Sequence, residues 1–572
     1  MESLNVAPKQ RSYVSGSLTI KGFNDIKSYY EELKNRPIKS AKELRQWFND
    51  KSELDAIVSE DLAWRYIRMT CDTSNEDHKN AYTEFITNIE PEIAPFRDLL
   101  NKKAMASEFI NEFQDSAFYI LKRSLENEIK LFREENIPLY TEIQNLSKEF
   151  SAVSGSQSVV IDNEEMTMQQ AAVILQSTDR EKRENAWNTI AERRFADREK
   201  LDSIYSQQIK LRHQVALNAG FENFRDFMFS AMGRFDYKPK DCFQFHESVK
   251  KEIVPLLKHI AEERKSLMHL DKLKPWDKSV DPEGKEALKP FSNVNELVEK
   301  TISCFSSLDP FLGKCIATLK DIKHLDLDSR KGKAPGGYNY PLAETGIPFI
   351  FMNATSTLRD LVTIIHEGGH AVHSIVTKDL ELRDFKDTPS EVAELASMSM
   401  ELLSLNSWDL FFKSNDDYKR AVKEHLFQII ETLPWVATID KFQHWVYENP
   451  AHSSEERQEM WLSILDEFSD GITDWEGNEK YKRFLWQRQL HLFEVPFYYI
   501  EYGFAQLGAL AVWKNQNDNA TLALDNYLKA LKLGYTESIP KIYETAGIQF
   551  NFSQEYIRDL FEFVKVKLDE LD

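Results

Sequence analysis

The chain has 572 residues and is acidic, with 93 Asp and Glu against 72 Lys and Arg and a net charge of −21. This charge argues against nucleic acid or an anionic membrane surface as a partner. Gly and Pro number only 19 each, and amphipathic segments rich in Glu, Lys, Leu and Ala dominate the chain. The composition therefore predicts a mainly helical fold.

The cysteines and the first residues bear on the cellular compartment. Cys71, Cys242, Cys304 and Cys315 lie far apart and form no Cys-x-x-Cys pair, so we expect them to be reduced and structural. The stretch MESLNVAPKQRSYVSG has neither a basic leader nor an apolar core. We therefore expect no secretory or membrane signal and a cytoplasmic location.

The first third of the chain predicts helices with one interruption. Apolar residues recur three and four positions apart from Ile26 to about Asn145, which predicts a helical lobe. Gly, Ser and a Val-Val-Ile run at 151–168 predict a loop or small hairpin before helices resume at Gln169. We divide the sequence into an N-terminal helical lobe (1–110), a helical segment with the loop or hairpin (111–195), and a C-terminal region (196–572).

Most of the remaining chain also predicts helix. We predict helices over 196–270, over 291–324 and from Thr357 onward, with loops at 272–290, 378–389, 448–455 and 514–519. The apolar stretch 495–513 approaches the length of a membrane span, but Glu501 and Gln506 inside it favour a buried helix that lines a polar cavity.

One segment predicts a strand. The apolar run Phe349–Met352 is bounded by Pro348 and Asn353 and follows a turn that contains Gly336 and Gly337. This strand, through Phe349 and Phe351, is a candidate to bind an extended peptide by strand addition. The alternative is a plain core strand, and the glycines either let the loop approach a ligand or only form a turn.

The motif TIIHEGGHAVH at 363–373 carries the chemistry. His366 and His370 are one helical turn apart, so both imidazoles can reach one metal ion. Catalytic zinc usually takes three protein ligands and a water molecule whose pKa falls to roughly 7. Glu367 can take the proton of that water and pass it to a leaving nitrogen. The pattern predicts one zinc ion with Glu367 as general base and acid.

A third ligand is expected in TPSEVAELASMSMELL, a helix that begins near Pro389 and Ser390. Glu394 has apolar neighbours, so its buried carboxylate needs a cation, whereas Glu391 suits the first turn of the helix as a dipole-complementing acid. We therefore favour Glu394. Glu401 is predicted to support a ligand by a hydrogen bond, and His373 to do the same or to pack.

These residues carry a family resemblance. HEGGHAVH, followed 28 residues after its first histidine by the glutamate of EVAELAS, resembles the oligoendopeptidase F branch of the thimet oligopeptidase family of zinc peptidases. Further matching segments are DREKRENAW (179–187), LKPWD (273–277), APGGY (334–338), PFIFMN (348–353) and HLFEVPFYYIEY (491–502). The resemblance makes 111–195 similar to the family's N-terminal region and 196–572 the catalytic region.

The resemblance implies a fold and an activity. We expect a mainly α, two-lobed bowl with a deep central channel and a small β-sheet beside the zinc-binding helix. Such a protein would cleave internal bonds of short unstructured peptides and exclude folded proteins. The resemblance also implies that His366, His370 and Glu394 bind one Zn²⁺ and that Glu367 is the general base and acid.

The segment HLFEVPFYYIEYGF offers donors for the oxyanion of a tetrahedral intermediate. His491, Tyr498 and Tyr502 are the candidates, with aromatic packing as the alternative. The best-studied branch of the family spaces its two important tyrosines seven residues apart, whereas Tyr498 and Tyr502 are four apart. Which hydroxyl acts therefore stays open at this point.

The two glycines of the motif break helix preference, because each costs roughly 0.5–1 kcal/mol against alanine. We expect one or both to let a neighbouring element or the substrate come close to the helix. The family resemblance makes Gly369 expected and Gly368 less typical. It predicts that Gly368→Ala stabilises the helix with activity retained and that Gly369→Ala lowers activity.

The sequence leaves two other functions open and argues against a third. A Taq-type metallocarboxypeptidase has a related metal helix with a downstream His-Glu-Ser-Gln, but His246-Glu247-Ser248 lies upstream here. A thermolysin-type aminopeptidase would show a Gly-x-Met-Glu-Asn strand, which FIFMNAT lacks. A catalytically silent peptide-binding protein of the same fold is the non-enzymatic alternative.

Overall fold

A computed structural model describes residues 4, 6 and 10–571, and the fold is mainly helical, as the composition predicts. The contacts divide the chain into two compact units, each drawn from three stretches. The first unit comprises Met1–Glu134, Lys289–Lys419 and Ala505–Phe550, and the second comprises Glu135–Leu288, Arg420–Phe504 and Asn551–Asp572.

The first unit begins with the predicted helical lobe. Its helices are α1 (Asn24–Asn35), α2 (Ala41–Cys71), α3 (Glu76–Glu84), α4 (Glu90–Met105) and α5 (Ser116–Leu131). α2 begins after Ser40, whose side chain accepts a hydrogen bond from the backbone of Glu43. Leu44, Trp47 and Phe48 of α2 are buried in an apolar core with residues of α1, α4 and α5.

The second unit opens with a hairpin among helices. Its elements are α6 (Asn136–Gly155), β1 (Ser158–Ile161), β2 (Glu164–Thr167), α7 (Met168–Val173), α8 (Arg180–Ala196), α9 (Arg198–Asn218), α10 (Phe224–Ala231), α11 (Pro239–Glu252) and α12 (Val254–Leu267). β1 and β2 pair antiparallel. The turn residues Asp162 and Asn163 have φ of 54° and 66°, as a two-residue hairpin turn requires. The predicted hairpin is confirmed.

The chain then returns to the first unit and forms a three-stranded sheet. The elements are α13 (Val294–Leu308), α14 (Pro310–Asp321), β3 (Leu325–Asp328), β4 (Tyr338–Tyr340), β5 (Phe349–Ala354), α15 (Leu358–Thr377) and α16 (Ser390–Leu403). The strand order is β3-β5-β4, with β5 parallel to β3 and antiparallel to β4. The predicted strand is therefore present, as β5.

The prediction that β5 binds a peptide by strand addition is wrong. β5 is the central strand, and β3 and β4 already pair with its two edges at Ile350 and Phe351. Phe349 and Phe351 are buried and pack against Ala63 and Ile67 of α2. The plain core strand describes these residues, because an apolar run reports burial and carries no information about which edge is free.

The last elements are helices. They are α17 (Asn415–Glu448), α18 (Ser454–Glu467), α19 (Glu479–Lys482), α20 (Leu490–Glu494), α21 (Tyr499–Asp518), α22 (Ala520–Lys532), α23 (Ile539–Thr545) and α24 (Gln554–Asp569). The predicted loop at 514–519 is wrong, because α21 continues to Asp518. The break is Asn519 alone, whose side chain accepts from the backbone of Leu522 and begins α22.

The apolar stretch 495–513 lies largely in α21. Its Glu501 forms a buried ion pair with Arg234, with a 2.8 Å separation and side-chain exposures of 2% and 1%. The predicted burial of this helix is therefore confirmed at Glu501, whose charge is neutralised within the second unit, and the polar cavity beside it stays a prediction. Across the described residues, none of the helices is both long and apolar enough to cross a bilayer.

Candidate metal centre

The helix that carries both motif histidines has a well-defined start. Thr357 and Asp360 form a capping box, in which the Asp360 backbone donates to the Thr357 hydroxyl and the Thr357 backbone donates to the Asp360 carboxylate at 2.9 Å. The helical spacing then places His366 and His370 on one face of α15, with ring centroids 4.9 Å apart.

Glu394 of α16 reaches both imidazoles. Its Oε2 lies 3.3 Å from His366 Nε2 and 3.7 Å from His370 Nε2. One ligand atom from each of the three residues lies within 4.8 Å of the others. The histidine side chains are 20% exposed and Glu394 is 5% exposed. We call His366, His370 and Glu394 the accessible cluster, because solvent reaches its imidazoles.

Gly369 makes this approach of α16 to α15 possible. A Cβ at Gly369 would lie 2.6 Å from the Cα of Ser397 and 2.9 Å from the backbone oxygen of Ala396, both in α16. Backbone atoms cannot rotate away as a side chain can, so any larger residue would push α16 and Glu394 outward. Tyr527 of α22 holds α16 from another side by donating to the Ala396 oxygen at 2.7 Å.

Gly368 is also packed, which corrects the prediction that Gly368→Ala stabilises the helix. A Cβ there would lie 2.6 Å from the ring of Phe305 in α13 and 3.3 Å from Ile316 in α14. Phe305 is fully buried, so its ring has little room to move. Overpacking of about 1–3 kcal/mol exceeds the gain in helix propensity of about 0.5–1 kcal/mol.

Glu401 fixes the orientation of one imidazole. Its Oε1 lies 2.6 Å from His366 Nδ1, so Nδ1–H donates to the carboxylate and the Nε2 lone pair is directed at Glu394. Burial alone would lower the pKa of His366, but Glu394 and Glu401 raise that pKa well above its ordinary value. The surroundings of His366 therefore favour a positive charge, whether a proton or a metal ion.

The surroundings of His370 shift the pKa of its imidazole in the opposite direction from that of His366. Burial lowers the pKa of its imidazole to about 4, so the ring is neutral at neutral pH. A neutral imidazole is the form that binds a metal ion. The two histidines therefore differ in electrostatics while facing the same carboxylate.

Glu367 lies next to the accessible cluster and is 8% exposed. Burial raises the pKa of its carboxyl to about 7, which suits a group that both takes and gives a proton near neutral pH. Asn339 of β4 donates its side-chain amide to the Glu367 backbone oxygen at 3.1 Å. A backbone hydrogen bond from Asn339 also reaches the Glu367 carboxyl and lowers its pKa.

Asn339 is not among the residues predicted from the sequence. A signal was present, because Tyr338-Asn339-Tyr340 alternates and a strand sends its central residue to the face opposite its neighbours. The two tyrosines contact Tyr66 of α2, at 5.5 and 5.6 Å between ring centroids. Asn339 thus lies on the face that meets α15.

His373 has a packing role. It is 5% exposed, forms a hydrogen bond with the backbone of Leu531 in α22, and its Nε2 has no hydrogen-bond partner within the described part of the chain. These contacts agree with the packing alternative for His373, and its support of a metal ligand stays a prediction.

His491, Tyr498 and Tyr502 come together in the second unit. His491 Nε2 lies 3.5 Å from the Tyr502 hydroxyl, and the His491 and Tyr498 rings stack at 5.9 Å. Phe497 precedes Tyr498 with a φ of 69°, an uncommon conformation for a residue other than glycine. Gln443 accepts from the Phe497 backbone at 2.6 Å and holds this turn.

Gly336 and Gly337 have separate reasons to be glycine. Gly336 has a φ of 96°, in the left-handed region, with open space around it. Gly337 lies against β5, where a Cβ would be 3.3 Å from the backbone oxygen of Phe351. The turn interpretation therefore fits Gly336, close packing against β5 fits Gly337, and their predicted contact with a ligand stays a prediction.

The accessible cluster suits a zinc ion. Two imidazole nitrogens and one carboxylate oxygen form a set that catalytic zinc uses with an open fourth position. The donor atoms converge, Glu401 fixes the tautomer of His366, and the pocket favours positive charge. The arrangement can hold one cation beside a carboxyl group that exchanges protons near neutral pH.

Known proteins resemble this chain over most of its length. The model of peptidase family M3 matches residues 173–561, and that of the peptidase M3 N-terminal domain matches residues 18–132. A solved structure described as PZ peptidase A with an inhibitor has a TM-score of 0.92 and 26% identity, covering 98% of this chain and 100% of its own.

Relatives with curated names also resemble this chain. The chromosomal oligoendopeptidase F of Lactococcus lactis subsp. cremoris is 24% identical over 56% of this chain and 52% of its own length. An oligoendopeptidase F homolog of Borreliella burgdorferi is 22% identical over 90% of this chain and 89% of its own. The chain thus spans about half the length of the first of these relatives and most of the second. The family resemblance seen in the sequence motifs is confirmed.

Proposed function

Because the chain belongs to peptidase family M3, we propose that it is a zinc-dependent oligoendopeptidase that hydrolyses internal bonds of short unstructured peptides. The observation that carries this proposal is the convergence of His366, His370 and Glu394 within 4.8 Å. Glu367 adjoins them in the sequence and is buried.

His366, His370 and Glu394 are the residues that would hold the zinc ion. The ion, when bound, supplies Lewis acidity toward a peptide carbonyl and toward water. Glu401 keeps His366 in the tautomer whose Nε2 faces Glu394. This hydrogen bond also fixes the plane of the imidazole, so the ligand needs little reorganisation.

Glu367 is the proposed general base and then acid. Its carboxyl group takes a proton from the attacking water and passes it to the leaving nitrogen. Asn339 holds the Glu367 backbone from β4, and the edge strand thereby fixes the position of the base relative to the helix. Precise placement matters because a base acts only within hydrogen-bond reach of its proton.

A separate proposal concerns the donors to the oxyanion. His491, Tyr498 and Tyr502 would donate hydrogen bonds to the oxyanion of the tetrahedral intermediate. Their support is mutual packing: the Tyr498 and Tyr502 rings lie 5.3 Å apart, and Gln489 contacts His491 Nδ1 at 2.7 Å. These contacts restrict the motion of the three rings and hold the imidazole and the two hydroxyl groups in one cluster.

The relatives favour this function over the alternatives. They are named oligoendopeptidases, so similarity supports the oligopeptidase prediction over a Taq-type carboxypeptidase. A silent peptide-binding protein would have no use for a buried carboxyl group beside the ligands. We further propose a cytoplasmic location and short peptides as substrates.

The test is cleavage of an internally quenched peptide before and after chelation. We expect a chelator to abolish cleavage and one equivalent of Zn²⁺ per chain to restore it. Mass spectrometry of products from peptides of graded length should show internal cuts in short peptides and none in a folded protein. Cleavage that persists in the metal-free protein would reject the proposal, and removal of terminal residues only would favour an exopeptidase.

A further inference from the structure

A second group of metal-binding side chains lies inside the second unit. Cys242 and His246 are four residues apart on α11, and Asp440 and His444 are four residues apart on α17. The spacing places each pair on one face of its helix. One ligand atom each from Cys242, Asp440 and His444 lies within 4.8 Å of the others. We call these three residues, with His246, the sealed cluster.

Burial of the sealed cluster is nearly complete. Cys242 and Asp440 are 0% exposed, and His246 and His444 are 2% exposed. Phenylalanine rings surround the imidazoles: Phe243 and Phe497 lie 4.8 and 5.4 Å from the His444 ring. A carboxylate in such apolar surroundings needs a cation or hydrogen-bond donors.

The available partners do not meet that need. Within the described chain, the ion-pair partners of Asp440 are the two histidines, at 2.8 Å for His246 and 3.2 Å for His444. Asp440 Oδ1 and His444 Nδ1 have no hydrogen-bond partner among the described residues, whereas His444 Nε2 lies within hydrogen-bond distance of Asp440 Oδ2 and helps to lower the pKa of that carboxyl. Each such buried polar atom costs about 1–3 kcal/mol. A buried carboxylate with one unpaired oxygen, close to a thiol and an imidazole, is an arrangement that a shared cation would satisfy.

We propose that the sealed cluster binds one divalent cation of the zinc class through Cys242, Asp440 and His444. Sulfur, nitrogen and oxygen donors together match zinc, whereas magnesium and calcium take oxygen ligands. His246 donates to Asp440 Oδ2 at 2.8 Å and orients the carboxylate, as groups behind metal ligands do.

The bound cation would be structural. The surrounding rings exclude substrate, so the ion would join α11 to α17 rather than act on a peptide. Binding requires the Cys242 thiol to lose its proton, and the cation would then balance the thiolate and the Asp440 carboxylate. The site is independent of the accessible cluster, since no residue is common to the two.

Metal content separates the two sites. Tag-free protein should contain two equivalents of metal per chain by mass spectrometry of the elements. The double variant His366→Ala, His370→Ala should keep one equivalent, and the further changes Cys242→Ser and His444→Gln should remove it. Cys315→Ser is the matched control, because Cys315 is equally buried and lies outside both clusters. A double variant that retains no metal would overturn the proposal.

Cobalt provides a second measurement that does not depend on folding of the cysteine variant. Only the sealed cluster contains sulfur, so cobalt-grown protein carrying His366→Ala and His370→Ala should show a thiolate-to-cobalt charge-transfer band. Cys242→Ser should abolish that band and Cys315→Ser should keep it. If the cobalt-grown double variant shows no such band, the four residues form a metal-free polar network and the proposal is wrong.

Discussion

The accessible and sealed clusters use similar side chains in opposite surroundings. Both draw ligands from two helices, and both contain histidine and a carboxylate. The imidazoles of the accessible cluster are 20% exposed, whereas those of the sealed cluster are 2% exposed. Glu367 adjoins the accessible cluster, and phenylalanine rings surround the sealed one.

The difference shows that ligand geometry alone does not define a catalytic site. A catalytic metal needs an open position for water and a group that exchanges protons. The accessible cluster has both an exposed face and a carboxyl group with a pKa of about 7. The sealed cluster has neither feature, so a cation there would support packing.

Of the predicted changes, removal of a metal ligand from the accessible cluster should have the largest effect. Glu394→Ala should lose the metal of the accessible cluster and with it peptide cleavage, because two imidazoles alone make a weak site. Glu391→Ala is the matched control on the same helix and should keep both. Elemental analysis and cleavage of a quenched peptide measure the two effects. Metal loss in Glu391→Ala with retention in Glu394→Ala would assign the third ligand to Glu391.

Glu401→Gln should have an intermediate effect. An amide retains the size of the side chain but holds His366 less strongly than a carboxylate, so we expect zinc affinity to fall about 10–100-fold. Competition with a zinc-binding dye measures the affinity. The cobalt–thiolate band of the sealed cluster should stay unchanged. Unaltered zinc affinity would show that the contact between Glu401 and His366 does not tune the metal site.

The smallest expected effect concerns the glycines. Gly369→Ala should lower the free energy of unfolding by about 1–3 kcal/mol or more, because the clash is with the backbone of α16. It should also reduce zinc affinity at the accessible cluster by displacing Glu394. Gly368→Ala should destabilise less and keep zinc affinity, because it meets side chains.

Gly155→Ala is the control for both glycine variants, since open space surrounds Gly155 in α6. Chemical denaturation measures stability, and dye competition measures zinc. A stabilised Gly368→Ala protein would contradict the packing against Phe305, and unchanged zinc affinity in Gly369→Ala would show that α16 tolerates the displacement.

Local patterns in the sequence were enough to predict most residues of the accessible cluster. Helical spacing brings His366 and His370 together, and the apolar neighbours of Glu394 indicated a carboxylate that needs a cation. The contact of Glu401 with His366 follows from its position two turns beyond Glu394. These inferences succeed because they depend on periodicity within single helices.

The features that could not be predicted from the sequence depend on packing between residues far apart in the chain. The clash partner of Gly368 is Phe305, on a different helix, and no local pattern links the two positions. The neighbours of β5 depend on a sheet order that its apolar run does not encode. The sealed cluster joins residues that are far apart in the sequence, such as His246 and Asp440, which are separated by 194 positions. Its two pairs of residues on α11 and α17 could therefore be recognised as one cluster only from the packing of these helices.

The most direct test of the central claim is the turnover of Glu367→Gln at a verified metal content. We predict that peptide cleavage falls by about 10²–10⁴-fold, because the amide cannot take the proton, while the metal per chain equals that of the unaltered protein. A Glu367→Gln protein that cleaves the quenched peptide at the original rate would contradict the claim that the accessible cluster catalyses hydrolysis through Glu367.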